Sequence, residues 1–400
     1  MKVAILGGGV AGASCAIALA RQGHRVDVYE RRPSLEPLGA GLVLWPNATA
    51  VLAALGLLDR VARHAGRPSA MRRLSFRGAA DLGALDIATV DAAAALGQPS
   101  LSVLRTDLQS AFFGAMADAG VAVHFGHAVT DIVDAGDDQA MARLDNGATV
   151  DADLIIGADG RMASAARRYV APQAQPVYQG FLNWVGISRG RRAAPAPMEI
   201  RDYWGVGQRF GIVPVQGDTI YWAAGRAHPT GEYANDQGPP QADLLRQYAD
   251  WPAEVRDAIA GADPGSLRRI AVHDIDPLQA WHRRNVVLVG DAAHAALPTS
   301  GQGACQAIED AWHLSQCLAA AAPSDLEQAF AAFTARRLGK TTQIAMAGRA
   351  LAKSLFHTDA GFCERRDRES ALADHGAAAG NMGRFWAEGL QELGKDVAGE

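Results

Sequence analysis

Residues 1–30, MKVAILGGGVAGASCAIALARQGHRVDVYE, decide the fold. Lys2-Val-Ala-Ile-Leu6 is a short apolar run that reads as a buried parallel strand, and glycines at 7, 9 and 12 follow it in a G-x-G-x-x-G turn. A helix over 11–21 ends at Gly23, and His24-Arg-Val-Asp-Val-Tyr29 is a second strand closed by Glu30. Each glycine has a physical task. Gly7 permits the tight turn, Gly9 lets a pyrophosphate approach the backbone, and Gly12 lets the helix pack closely on the strand. The start of the helix, at Val10 and Ala11, offers unpaired N–H groups to phosphate oxygens. Glu30 lies 18 residues after Gly12, where an acid at the end of the second strand accepts ribose hydroxyls, and Arg31 follows it as a further candidate contact. Strand, turn, helix, strand and acid in this register imply a dinucleotide-binding βαβ unit, without saying which dinucleotide.

The same stretch is expected not to be a signal peptide or a membrane span. Residues 3–20 carry no charge, but three consecutive glycines break the run and Arg21 follows it. A membrane helix needs about 20 unbroken apolar residues.

A second signal lies far along the chain, at Asn285-Val-Val-Leu-Val-Gly-Asp291, followed by His294, Pro298 and Gly301-Gln-Gly303. A buried strand ending in Gly-Asp presents a carboxylate at its C-terminal edge, where α/β proteins bind ligands. The loop then opens a long amphipathic helix over about 304–319, a second glycine-rich helix start suited to an anionic or electron-rich group. A dehydrogenase with one nicotinamide site has no need of it.

Composition bounds the rest. The chain has 400 residues, 49% hydrophobic and 20% charged, with a net charge of −5. That excludes a disordered chain and gives no electrostatic footprint for nucleic acid. Length favours one large domain or two sharing a core. Four cysteines are too few for a disulfide scaffold, and none has zinc-ligand spacing, so no metal and a reduced, cytoplasmic setting are expected. Only four of the 38 basic residues are lysine, as in a GC-rich bacterial genome.

GGGVAG near the start, GADG at 157–160 and GDAAHAALPTSGQGACQAIEDA at 290–311 together resemble the single-component FAD-dependent aromatic hydroxylases, the flavoprotein monooxygenases of the para-hydroxybenzoate hydroxylase type. The likeness covers roughly residues 1–340. It implies that Gly7, Gly9, Val10, Ala11, Gly12, Glu30 and Arg31 hold the ADP part of a non-covalent FAD. Asp291 would bind the ribityl chain, and Gly301, Gly303 and Ala304 would lie against the flavin ring, with Pro298 on its oxygen-reacting side. Gly39-Ala-Gly-Leu-Val-Leu-Trp-Pro-Asn47 resembles the segment crossing near the ring, with Gly41 and Leu42 closest. Arg105 opens a helix and reaches the FAD, and Val129 meets the adenine, in the same likeness. Asp159-Gly160 matches the motif that touches both FAD pyrophosphate and NAD(P)H. Here the chain departs from the family pattern: Ser164 and Arg167 lie four and seven residues after Gly160, each one residue farther than the family places it. Arg161, Arg167 and Arg168 are therefore candidates for the nicotinamide pyrophosphate.

Between 171 and 285 short strands alternate at 181–187, 198–203, 209–213 and 219–223, the last two joined as a hairpin at Gln216-Gly217-Asp218. The expected fold is α/β: a Rossmann-like FAD-binding domain (1–70, 101–170 and 268–322) interrupted by an antiparallel-sheet substrate domain (71–100 and 171–267), with C-terminal helices over 323–400. A substrate would lie where the sheet domain meets the flavin loop, and Trp45, Tyr203, Arg209 and Tyr221 are candidate wall residues. Alternation allows only one of Tyr221 and Trp222 to face it. His294 is either a proton-transfer residue or part of the turn's framework.

The resemblance implies an NADPH- or NADH-dependent monooxygenase that uses dioxygen to hydroxylate a small aromatic or N-heteroaromatic molecule through a flavin C(4a)-hydroperoxide, as a monomer or homodimer. Two alternatives share its motifs: an FAD-dependent dehydrogenase or oxidase without oxygen insertion, and a non-catalytic flavin-binding regulator.

Overall fold

In the computed structural model, described for residues 1–34, 41–136, 139–190, 198–230 and 241–395, the chain forms two compact units, each built from three separate stretches. The first comprises Met1–Glu36, Gln109–Val177 and His273–Gly348; the second comprises Pro37–Leu108, Tyr178–Val272 and Arg349–Glu400. Gly39 and Ala40, at the head of the expected ring-crossing segment, lie outside the described residues.

The first unit is organised by a six-stranded sheet in the order His282–Arg283, Val286–Leu288, Leu154–Gly157, Lys2–Leu6, Arg25–Glu30, Ala122–Phe125. All its pairings are parallel except the first. Val3, Ile5, Leu6, Leu154, Ile155, Ile156 and Val286 to Leu288 are fully buried, as expected where helices cover both faces of a parallel sheet. The helices Val10–Arg21 and Gly303–Leu318 pack on each other. Small residues on the first of them let this happen: a Cβ on Gly290, beneath the pair, would come within 2.6 Å of the Ala11 methyl. A three-stranded antiparallel sheet, Val129–Gly136, Gln139–Leu144 and Thr149–Val150, completes the unit. The buried Asn285 side chain pins it, accepting from Ala140 N–H at 2.8 Å and donating to the Ala152 carbonyl at 3.0 Å.

The second unit carries a seven-stranded sheet in the order Arg268–Ile275, Pro176–Arg189, Thr219–Ala227, Gln208–Pro214, Glu199–Trp204, Ala70–Ser75, Asp81–Asp86. It is mixed rather than purely antiparallel, because Glu199–Trp204 runs parallel to Ala70–Ser75. The expected hairpin is present, and residues 70–86 do add two strands. One face is buried: Phe210, Ile212, Trp222 and Ala224 pack with Leu244, Tyr248, Val255 and Ile259 from the region of the helices Gln241–Gln247 and Ala253–Ala260. A short ribbon pairs Gly41–Leu44 with Leu101–Leu104.

The units divide the chain differently from the motif-based boundaries. Residues 41–70 and 101–108 belong with the seven-stranded sheet, and 323–348 belong with the parallel sheet. The C-terminal helices are no separate region. His375–Ala387 lies on Ile87–Ala94 so closely that a Cβ on Gly383 would sit 2.3 Å from the Val90 carbonyl oxygen. Among the described residues no helix is long and apolar enough to cross a membrane.

Candidate functional site

In the first unit, four adjacent parallel strands end at the same edge of the sheet, and each end carries a residue singled out by its motif. Leu6 leads into Gly7, Arg25–Glu30 ends on Glu30, Gly157 leads to Asp159, and Leu288 leads through Gly290 to Asp291. Lys2–Leu6 lies between the strand that follows it in sequence and one about 150 residues later, so the crevice where a doubly wound sheet binds its ligand opens here.

The glycine turn has the geometry its residue types require. Gly7 has φ +109°, and a Cβ there would stand 2.4 Å from the Ala158 carbonyl oxygen. A Cβ on Gly12 would stand 1.9 Å from the Gly7 oxygen, whereas one on Gly9 would meet nothing within 4 Å. Turn and helix are thus in contact, and the space beside Gly9 is open. Neither Gly9 nor Gln302, at the N-caps of Val10–Arg21 and Gly303–Leu318, caps its helix with a side chain, and neither helix has an acid in its first turn, so both helix starts suit an anionic or electron-rich group. Glu30 accepts from the Gly8 N–H at 2.8 Å and the Arg32 N–H at 3.0 Å, which holds its carboxylate at the rim of the turn. Arg31 is exposed next to it, and Val129 is half-buried at the start of its strand. This cradle fits a dinucleotide.

Asp159 accepts from the Ser164 hydroxyl and from the Ala166 N–H at 3.1 Å. Enclosure pushes its carboxyl above the usual range, against the pull of those bonds. Ser164 caps the short helix Ala165–Val170. The residues between Gly160 and Ser164 therefore form the loop before the cap. Arg167 corrects an expectation: it is 2% exposed and spends its guanidinium on the carbonyls of Gly160, Arg161 and Ala292. It ties the Asp159 turn to the Asp291 turn and is buried rather than presented to a nicotinamide phosphate. Arg161 pairs with Asp291 at 3.3 Å, and Arg168 donates from the surface to the Thr130 carbonyl.

The Gly-Asp turn stands on a buried polar network. Gly290 donates its N–H to Asp310 at 2.7 Å, and the same oxygen lies 2.6 Å from His294 Nε2. Arg337, fully buried, donates to Asp310 at 2.8 Å and pairs with Glu309, which also takes the Lys340 ammonium at 2.7 Å. Burial alone would raise both carboxyls, but the cations hold both below the usual range. His294, with 7% of its side chain exposed and its ring against Trp281, belongs to this framework rather than to a substrate-facing acid or base. Pro298 is exposed at the head of a single turn, Pro298–Ser300; Gly301, at φ +64°, reverses the chain into Gly303 and Ala304. Thr299 ties that turn to the Gly348 carbonyl at 2.8 Å. Arg337 and Lys340 escaped the sequence reading, since nothing local marks a buried cation whose partners lie on another helix.

In the second unit, Gly41 pairs with Leu104, so Gly41, Leu42 and Arg105 share one end of the ribbon, Arg105 exposed at the start of Arg105–Asp118. A Cβ on Gly41 would fall 1.9 Å from the Tyr221 ring. Tyr221 lies on the sheet face opposite the buried core, while Trp222 is 0% exposed and donates to the Ser188 hydroxyl at 2.9 Å. Alternation thus assigns Tyr221 to the open face. Arg209 shares that face, paired with Asp202 at 2.6 Å. Two wall candidates are corrected. Tyr203 is 2% exposed in the core with its hydroxyl on Glu254, and Trp45 is buried against Trp386, ring centroids 4.7 Å apart.

A family model described as an FAD binding domain matches residues 1–346. The chain is 32% identical over 345 residues to the aurachin C monooxygenase/isomerase of Stigmatella aurantiaca, covering 84% of this chain and 85% of that protein. It is 33% identical over 314 residues to an FAD-dependent urate hydroxylase of Klebsiella pneumoniae, covering 78% and 79%. The crystal structure of Klebsiella pneumoniae HpxO complexed with FAD and uric acid superposes with a TM-score of 0.88 at 28% identity, over 98% of each chain.

Proposed function

Because this chain belongs to the FAD-binding family of flavin-dependent monooxygenases, we propose that it uses NADH or NADPH and dioxygen to hydroxylate a small aromatic or N-heteroaromatic compound. The observation that carries the reading is the convergence of Gly9, Glu30, Asp159 and Asp291 at neighbouring strand ends, beneath two uncapped helix starts. In it, Gly7 to Gly12 and Glu30 hold the ADP half of a non-covalent FAD, and Asp291 holds the ribityl hydroxyls. The flavin, when bound, supplies the electron storage and oxygen activation, through the hydroperoxide expected of the family. The protein's own residues bind and orient. Arg209 and Tyr221, on the open sheet face, are the substrate contacts in this reading. Arg161, in its pair with Asp291, and Arg168, on the surface, are the arginines that meet the nicotinamide in this reading, and Arg167 is reassigned to the scaffold.

The purified protein is expected to be yellow and to release FAD on heating. With an accepted aromatic compound it is expected to consume one NAD(P)H and one dioxygen per hydroxylated product. Peroxide formed together with an oxidised, unhydroxylated substrate identifies an oxidase instead; a protein that neither holds nor binds FAD removes the reading.

A further inference from the structure

The face of the seven-stranded sheet opposite its core has a glycine-containing floor with Arg209 at its margin. Arg209, Gly211 and Val213 lie on it in register with Gly225, Ala223 and Tyr221 of the neighbouring strand. A Cβ built on Gly211 would meet only Arg209 Nη2, at 3.7 Å, and the Ala223 carbonyl oxygen, at 3.9 Å. Gly211 therefore leaves room above its strand for a group in ordinary contact, with the guanidinium at one margin.

How that guanidinium is held decides what it can bind. Its Nε donates to Asp202 Oδ1 at 2.6 Å, and Asp202 is 6% exposed. The other oxygen of Asp202 accepts from Trp204 Nε1 at 2.9 Å. Trp204 is itself clamped between the guanidinium carbons of Arg73 and Arg366, 5.3 and 5.2 Å from its ring. Arg366 is fixed by Asp367 and by the Gly205 carbonyl. Among the described residues, neither Nη nitrogen of Arg209 has a hydrogen-bond partner. A guanidinium can bind a planar acceptor pair along its Nε–Nη2 side or its Nη1–Nη2 end, and here the side is already occupied. Asp202 also neutralises Arg209, while Arg73, in register with Asp202 on the same face, adds a positive charge.

We propose that Asp202, braced by Trp204, is a positioning residue that presents the Nη1–Nη2 end of Arg209 to a planar, anionic pair of acceptor atoms on the aromatic substrate, such as a carboxylate or the adjacent oxygen and nitrogen of a deprotonated lactam. This rests on the reading of Arg209 as a substrate contact.

The test is isothermal titration calorimetry on the FAD-loaded enzyme with benzoate, 4-hydroxybenzoate and uric acid, which carry such a pair, and with phenol and aniline, which do not. Wild type is expected to bind at least one paired probe. Losing a charge-assisted contact corresponds to roughly 10- to 100-fold weaker binding, expected of Asp202→Ala and of Arg209→Ala alike. The double variant is expected to bind no more weakly than Arg209→Ala alone, because Asp202 acts through Arg209. Phenol and aniline are expected to bind all forms equally, which a general collapse of the face would not allow. Where a probe turns over, the Asp202 variant is expected to raise KM and leave kcat near wild type. Asp202→Asn, of the same size, serves as the second variant if alanine prevents folding, and the same direction is expected of it. Multiplicative losses in the double variant, equal losses for phenol, an unchanged Asp202 variant, or no paired probe bound by wild type would each overturn the proposal. The calorimetry decides this whether or not any compound turns over. Failure of every aromatic to speed NAD(P)H oxidation would instead sink the functional reading.

Discussion

The glycine turn separates two kinds of requirement that sequence alone cannot rank. Gly12 faces backbone at 1.9 Å, so any side chain there collides with the protein itself; Gly9 faces open space, so a side chain collides only with a bound phosphate. Gly12→Val is therefore expected to yield little folded protein. Gly9→Val is expected to fold with wild-type circular dichroism and thermal midpoint in the absence of flavin, yet retain no FAD through gel filtration. Equal FAD retention by Gly9→Val would show that the open space is not the phosphate's. Arg167 makes a second case. Its guanidinium holds three carbonyls across two turns, so Arg167→Ala is expected to lose FAD and lower the thermal midpoint, with no selective rise in the KM for NAD(P)H. Flavin content by absorbance and stopped-flow reduction under anaerobic conditions separate the two outcomes. The glycine turn and the strand ends at Glu30 and Asp291 were legible from sequence because their spacing is local. Arg167 was visible as a charge and misread as a contact, because its partners are carbonyl groups, which carry no sequence signature.

Elements hold what residues alone do not show. Glu309 and Asp310 sit inside the helix Gly303–Leu318, and their cations Arg337 and Lys340 sit on Leu326–Leu355, 27 to 31 residues on. Read along the sequence, four such charges pass for solvated helix faces; packed, they are the support of the Gly290–Asp291 turn. Removing one partner of a buried ion pair leaves the other uncompensated, at a cost of about 3–5 kcal/mol. Arg337→Ala is expected to destabilise the protein by that order in urea unfolding, and to loosen FAD although no atom of Arg337 is placed on the flavin. The sign of the pH dependence follows from the same charges. Both carboxyls titrate below their unfolded value of about 4, so their stabilisation is present above that pH and is lost as the pH falls toward their folded values. Acid scans of thermal stability are expected to steepen below about pH 4, and to flatten there in Asp310→Asn. A similar limit governed the aromatic residues. Strand alternation correctly sets Tyr221 against Trp222, but it does not say which face of Glu199–Trp204 is covered, and Tyr203 proved to be core because two helices lie on its side.

At the scale of the whole molecule the fold class was legible and the boundaries were not. Motifs report strand ends, so they located the parallel sheet; they do not say with which unit the ribbon Gly41–Leu44 and the C-terminal helices pack. Four of the five passages of the chain between its two units fall within regular elements: Arg105–Asp118, Pro176–Arg189, Arg268–Ile275 and Leu326–Leu355 each span a boundary. Truncation before the C-terminal helices would uncover Trp45 and the Val90 backbone, both packed beneath His375–Ala387. A chain ending at Leu355 is accordingly expected to aggregate on expression, measured as its soluble fraction.

Interleaving has a consequence for inheritance. With three stretches per unit alternating along the chain, no single genetic crossover with a relative transfers one unit and spares the other. A double exchange of 178–272 moves Asp202, Trp204, Arg209 and Tyr221 as one cassette. The incoming strand must still pair with Ala70–Ser75, and the indole at 204 must still fit between Arg73 and Arg366, both supplied by the recipient. Substrate preference in such lineages would therefore be transplantable only between hosts that already share those two arginines, a compatibility rule written outside the segment that it governs.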